Sequence, residues 1–242
     1  MRIKDVIFDL YGTLVDIRTD EHRLSFWRKA AEIFSKNGAD YLPADLKKRY
    51  FSTVKNEEQA ALKAAGGFPE IDILRVFAEI YREKGVEADP ALLDSTAKAF
   101  REASTERLRL YPEAAALLKR LRESGVRIWL LSNAQAAFTR PELQALGLES
   151  SFDGVYLSSE LGFKKPDPRF FEALLTEQKI SAETAVMIGN DGGCDIAPAR
   201  SLGLKTVYVR SEISQKESLP QADFFAESSG LMKIAGFILQ GE

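Results

Sequence analysis

Three apolar runs in this 242-residue chain stop on polar residues able to do chemistry. Val6-Ile7-Phe8 ends at Asp9, and the chain continues through Tyr11, Gly12 and Thr13. "VRIWLLSN" ends on Ser132 and Asn133, and "TAVMIGN" leads into Gly189, Asn190, Asp191, Gly192, Gly193 and Asp195. A fourth segment, "ELGFKKPDPRFF", brings Lys164 and Lys165 in a loop with Gly and Pro. Carboxylates gathered at one edge repel unless a cation or a proton lies between them. Lys165 supplies one positive charge, and Mg²⁺, which takes oxygen ligands and only one or two protein carboxylates, would supply more. Ser132, the N–H groups beside it and Lys165 can hold an anionic group of a substrate. An aspartate in such a set is either a metal ligand or a nucleophile that forms a covalent intermediate. The inventory suits phosphoryl transfer, where a protein mainly positions and neutralises.

To bring these ends together the runs must be neighbouring strands, because ligands gather at the carboxyl ends of strands in doubly wound sheets. After Tyr111-Pro112, short apolar runs ("VRIWLLSN", "DGVYLS", "TAVMIGN", "KTVYV") alternate with helical patterns (113–123, "DPRFFEALLTEQ", "DIAPARSLG", 229–239). That alternation predicts βαβ units and a parallel sheet. Between Asp20 and Ala103 the pattern is different, with apolar residues recurring every three or four positions, as at Leu74, Phe77, Ile80 and Tyr81. Helices are expected over 21–35, 44–63, 70–83 and 90–101, with Gly66-Gly67 and Gly85 at the joins and Pro69 and Pro90 at helix starts. The fold class is therefore α/β, with a helical insert after the first strand. The expected division is 1–15 and 108–242 for the core and 16–107 for the insert.

Net charge is −3 and the basic residues are scattered, which argues against a nucleic-acid partner. No apolar stretch approaches the ~20 residues of a membrane helix. The chain enters its first strand without a basic-then-apolar leader, so the cytoplasm is the expected compartment. One cysteine, Cys194, gives neither a disulfide nor a zinc pattern, and it reads as a packed side chain. The single histidine, His22, lies in the insert and is expected to be exposed, which argues against a Ser-His-Asp triad. Trp27, Arg28, Arg49, Tyr50 and Phe51 read as the insert's own core and its solvated face.

Asp9-x-Tyr11-Gly12-Thr13, Ser132-Asn133, Lys165-Pro166-Asp167-Pro168 and Gly189-Asn190-Asp191-x-x-x-Asp195 together resemble the four motifs of the haloacid dehalogenase-like hydrolases. The insert is similar to the α-helical cap of their first subclass. The resemblance implies a Rossmann-like core, a mobile cap that sets substrate choice, and a nucleophile at Asp9. It implies Ser132 (with Thr13 and Asn133) at the substrate's anionic group and Lys165 on nucleophile and anion. It also implies Mg²⁺ held by Asp9, the Tyr11 carbonyl, Asp191 and Asp195. Phosphatases of this family usually carry a second aspartate two residues after the nucleophile, to protonate the leaving group. Here that position is Tyr11, whose phenol, with an ordinary pKa of about 10, is a poor base at neutral pH. A tyrosine there resembles the L-2-haloacid dehalogenases, in which halide leaves without a proton and no metal is used. Asp191 and Asp195, and Glu160-x-Gly162-x-x-Lys165, resemble the phosphatase branch instead. A common family spacing places a metal-binding aspartate where this chain has Asn190, so either Asn190 or Asp191 faces the metal. Asp191 and Asp195 also suit a capping role at the next helix. The reading is a Mg²⁺-dependent phosphatase of small phosphorylated metabolites. The alternatives are a cofactor-independent L-2-haloacid dehalogenase and a weakly active or non-catalytic binding protein.

Overall fold

The computed structural model describes residues 2–214 and 219–240. Its strands are β1 (Asp5–Phe8), β2 (Val15–Thr19), β3 (Thr105–Leu110), β4 (Arg127–Ser132), β5 (Gly154–Leu157), β6 (Ala185–Gly189), β7 (Lys205–Arg210) and β8 (Phe224–Glu227). Its helices are α1 (Leu24–Ser35), α2 (Pro43–Ala65), α3 (Ile73–Glu83), α4 (Pro90–Ser104) and α5 (Ala114–Glu123). They continue with α6 (Ala136–Ala145), α7 (Ser158–Leu161), α8 (Pro168–Glu177), α9 (Ala197–Ser201) and α10 (Met232–Gln240).

Six strands form one parallel sheet in the order β5-β4-β1-β6-β7-β8. Side chains alternate across a strand, so each run feeds two layers. Val6, Phe8, Ile128 and Leu130 pack with Leu117, Leu121, Ile234 and Ile238 of α5 and α10 on one face. Ile7, Trp129, Leu131 and Met187 pack with Phe170, Phe171 and Leu174 of α8 on the other. β1 lies between β4 and β6, and the chain order reverses there. The ends of these three strands therefore meet at one crevice.

Helices α1–α4 bury a separate aromatic cluster that includes Phe26, Trp27, Phe34, Tyr50, Phe77 and Phe100. Phe26 and Phe100 meet edge to face with ring centroids 4.9 Å apart, a favoured aromatic geometry. Arg28 and Phe51 are exposed, and Arg49 pairs with Glu79 at 3.0 Å. Asp72 and Asp89 cap α3 and α4, accepting from the N–H groups of Leu74 and Leu92. Pro90 opens α4 as expected, whereas Pro69 bridges to Phe163 and α3 starts only at Ile73.

Beyond the short elements α7 and β8, the sequence reading missed three features. β2 and β3 pair antiparallel in a two-stranded ribbon where the chain leaves and re-enters the sheet. Their sequences, VDIRT and TERLRL, mix charge with apolar residues because the ribbon is half exposed. α6 has Pro141 within it, which hides a helix from a reading that treats proline as a stop. The helix expected from Asp195 begins instead with a π-turn over Gly192–Ile196 before the short α9.

Candidate active site

Asp9 follows β1 and is 7% exposed. Its Oδ1 accepts from the Lys165 ammonium at 2.8 Å and from the Ser132 hydroxyl at 3.2 Å. Its Oδ2 accepts from the Thr13 hydroxyl at 3.2 Å, and that hydroxyl also lies 3.3 Å from Asn190 Oδ1. Lys165 is buried, and its Nζ also reaches the Leu131 carbonyl at 2.8 Å and Asp195 Oδ1 at 2.7 Å. Burial alone would lower the Lys165 pKa, but Asp195 and Asp9 outweigh it and raise it, so the ammonium is held charged. Burial pushes the Asp195 carboxyl up to about 6, with Lys165 opposing and Asp9 adding to the rise.

The loops bring these residues together by specific bonds. Asn133 uses both ends of its amide on the main chain of Lys165, accepting from its N–H at 2.7 Å and donating to its carbonyl at 2.8 Å. Asn133 thus locks the Lys165 loop to the end of β4. Asp195 Oδ2 accepts from the Asp191 N–H at 2.9 Å. Asp191 Oδ1 in turn accepts from the N–H groups of Gly193 and Cys194, each at 2.8 Å, which is a cap on the π-turn. The residue that reaches the Asp9–Thr13 pair is Asn190, 7% exposed. Burial pushes the Cys194 thiol up to about 11, so it is not a thiolate at neutral pH.

Tyr11 takes a direction that the sequence did not reveal. Its phenol donates to the Glu142 carboxylate and lies 2.9 Å from the Thr139 hydroxyl, both on α6. Glu142 is buried and also accepts from Arg101 Nε of α4 at 2.6 Å. The Arg101 guanidinium stands over the Tyr11 ring at 5.8 Å and over Phe138 at 5.2 Å. Burial, reinforced by Glu142, raises the Tyr11 pKa well above its usual value, so the phenol keeps its proton. A cavity of about 560 Å³ between α4 and α6 is lined by Arg101, Leu108, Phe138 and Glu142, among others, and not by Asp9. Glu142, Thr139 and Arg101 are the site-adjacent residues that sequence reading missed. The pattern holds no signal for contacts that span 128 and 131 residues.

The 66–73 segment of the insert lies against the same loops. Phe68 accepts from Lys164 N–H and donates to Asp167, Glu70 donates to the Gly162 carbonyl, and the Gln135 amide bridges Ile71 and Ile73. Gly67 has φ +65°, and a Cβ there would come within 2.5 Å of Asp167 Oδ2.

The oxygens around Asp9 suit a hard cation. Asp9 Oδ2 and Asn190 Oδ1 are oxygens, the Tyr11 carbonyl accepts no hydrogen bond among the described residues, and Mg²⁺ prefers oxygen ligands. The set fits Mg²⁺ in type, with one carboxylate. Among the described residues, no three His, Cys, Asp or Glu side chains are arranged to hold a metal by themselves.

No helix among the described residues is long and apolar enough to cross a membrane. The chain is 38% identical over 146 residues to a phosphoserine phosphatase of Thermus thermophilus, a match covering 60% of this chain and 55% of that protein. It thus spans little more than half the length of that relative. It is 29% identical over 209 residues to a glyceraldehyde 3-phosphate phosphatase of Pyrococcus abyssi, covering 86% of this chain and 82% of that one. The fold superposes on a 2-haloacid dehalogenase from Pseudomonas syringae with a TM-score of 0.69 at 21% identity, over 99% of this chain and 100% of that one. A phosphatase from Thermococcus onnurineus gives 0.62 at 17% identity, over 98% of both chains. Residues 3–203 match the family model of the haloacid dehalogenase-like hydrolases. The chain belongs to the haloacid dehalogenase-like hydrolase family and is a hydrolase.

Proposed function

We propose that this hydrolase is a phosphatase of small phosphorylated metabolites, acting through Asp9. The observation that carries the reading is the Asp9 carboxylate at a strand end, held by Lys165, Ser132 and Thr13. The phosphatase names of its relatives support it. In this reading an Asp9 oxygen attacks phosphorus, a new O–P bond forms, and the ester O–P bond breaks to release an alkoxide that takes a proton from water. Water then attacks phosphorus, phosphate leaves, and the Asp9 carboxylate returns. Ser132 and Lys165 stabilise the phosphoryl oxygens, and Lys165 also offsets repulsion between Asp9 and Asp195. Asp9, Asn190 and the Tyr11 carbonyl would hold Mg²⁺, which neutralises the charge on the transferring group. Residues 16–107 act as the cap over a core of 1–15 and 108–242, with the 66–73 segment bordering the site.

A second reading, halide displacement from a 2-haloacid, is favoured by two observations. Asn190 brings no charge, and Tyr11 offers its proton to Glu142. The deciding experiment is a screen of phosphate esters and 2-haloacids, each with Mg²⁺ and with EDTA. The proposal expects ester turnover that EDTA abolishes and that Asp9→Asn removes while the fold is kept. Turnover of 2-haloacids alone, indifferent to EDTA, would replace it with the second reading.

A further inference from the structure

Among the described residues, Asn190 is a polar side chain that hydrogen bonding places on the Thr13 side of Asp9. Asp9 Oδ2, Thr13 Oγ1 and Asn190 Oδ1 form a row with steps of 3.2 and 3.3 Å. Thr13 has one hydroxyl proton, so it can serve only one of the two flanking oxygens at a time. The approach of Asn190 depends on Gly12: φ there is +84°, and a Cβ would come within 2.4 Å of the Asn190 amide nitrogen. The neighbouring acids are otherwise committed. Asp191 caps the π-turn, and Asp195 is tied to Lys165 and to the Asp191 N–H.

We infer that Asn190, rather than Asp191, is the donor beside Asp9 on the cation side, and that its neutrality makes Mg²⁺ binding conditional on an anion bound at the same site. The inference rests on the cation use proposed above. An amide oxygen can ligate Mg²⁺ but brings no charge, and the Asp9 charge is already shared with Lys165. A divalent ion entering this buried place would lose hydration with little anionic compensation. A phosphoryl group supplies the missing negative oxygens. Binding is then coupled, and linkage requires the coupling to be reciprocal: the anion tightens Mg²⁺ by the same factor as Mg²⁺ tightens the anion. The neutral amide also has a use without metal. An aspartate at 190 would set a second buried carboxylate across Thr13 from Asp9, so a neutral residue there spares the metal-free site that repulsion while giving up affinity for the free ion.

The test is calorimetric titration of MgCl₂ into the full-length metal-free protein, with and without inorganic phosphate. Wild type should bind Mg²⁺ weakly alone and more tightly with phosphate, within the range of about 5–150-fold that coupled sites show. Asn190→Asp should bind Mg²⁺ tightly without phosphate, melt at a lower temperature in EDTA and recover in Mg²⁺. Asp191→Asn, which keeps its capping oxygen, should bind as wild type. Asn190→Ala adds no charge and decides the matter independently of any folding defect in Asn190→Asp. Loss of the phosphate-assisted binding supports the inference, and unaltered binding overturns it. Tight binding by wild type without phosphate also overturns it, as does loss of binding in Asp191→Asn. These outcomes are separate from the phosphatase reading: ester turnover can stand while the coupling fails, and coupled binding can be found without ester turnover.

Discussion

If the Tyr11 phenol is committed to Glu142, removing it should cost stability, not acid catalysis. Tyr11→Phe deletes the hydrogen bond to a buried carboxylate, worth about 1.5–3 kcal/mol, together with the bond to the Thr139 hydroxyl. Glu142→Gln keeps the shape and one acceptor but removes the charge that faces Arg101, whose side chain is only 16% exposed. Breaking a buried ion pair costs about 3–5 kcal/mol. The remaining acceptor places Glu142→Gln at the lower end, about 3 kcal/mol, or about 6–12 °C in Tm for a chain of this size. With glutamine at 142, the phenol bond is a neutral one worth about 0.5–1.5 kcal/mol, so Tyr11→Phe should then cost about half as much. A double-mutant cycle by urea unfolding at pH 7.5 should give a coupling of about 1–2 kcal/mol. Additivity within about 0.5 kcal/mol would refute the network. The kinetic arm is independent. Loss of a general acid lowers rates by about 10²–10⁴-fold, so Tyr11→Phe should retain nearly all turnover of any substrate found, and a hundredfold loss would show that the phenol serves the reaction.

Lys165→Met should abolish turnover and lower stability by about 3–5 kcal/mol, because Asp9 and Asp195 lose the cation they share; an unchanged thermal melt would contradict that role. Gly67→Ala should destabilise more than Gly85→Ala, since both have positive φ but only Gly67 would drive a Cβ into Asp167 and Arg169. We expect about 1–2 kcal/mol of backbone strain at either position and a measurable further loss at 67. Equal unfolding midpoints would mean that the 66–73 segment is not held against Asp167.

Much of this site was legible because each strand end interrupts an apolar run with a residue a buried strand would avoid. Asp9 and Ser132 stood out on that ground and Lys165 as a cation in a loop with Gly and Pro, and the structure brings them within hydrogen-bonding distance. The helix expected from Asp195 was only partly legible: it begins as a π-turn over Gly192–Ile196, and a pattern based on α-helical periodicity does not register one. The partners of Tyr11 were illegible for a different reason. They lie on α6, where Pro141 breaks the expected pattern, and on the end of α4, where Arg101 looks like any polar residue of an amphipathic helix. The ribbon of β2 and β3 was missed because each strand is short and half exposed, so neither presents the apolar run that marks the sheet.

The 66–73 segment meets the loops of the core largely through main-chain groups: the N–H and carbonyl of Phe68, the N–H of Glu70, the carbonyl of Ile71 and the N–H of Ile73. Any residue but proline supplies a main-chain N–H, and every residue supplies a carbonyl. The exposed side chain at 68 can therefore be exchanged while the contact is kept. Docking at this position is written in the main chain, which allows descendants of this chain to vary the side chain beside the site loops by point substitution without first loosening the join.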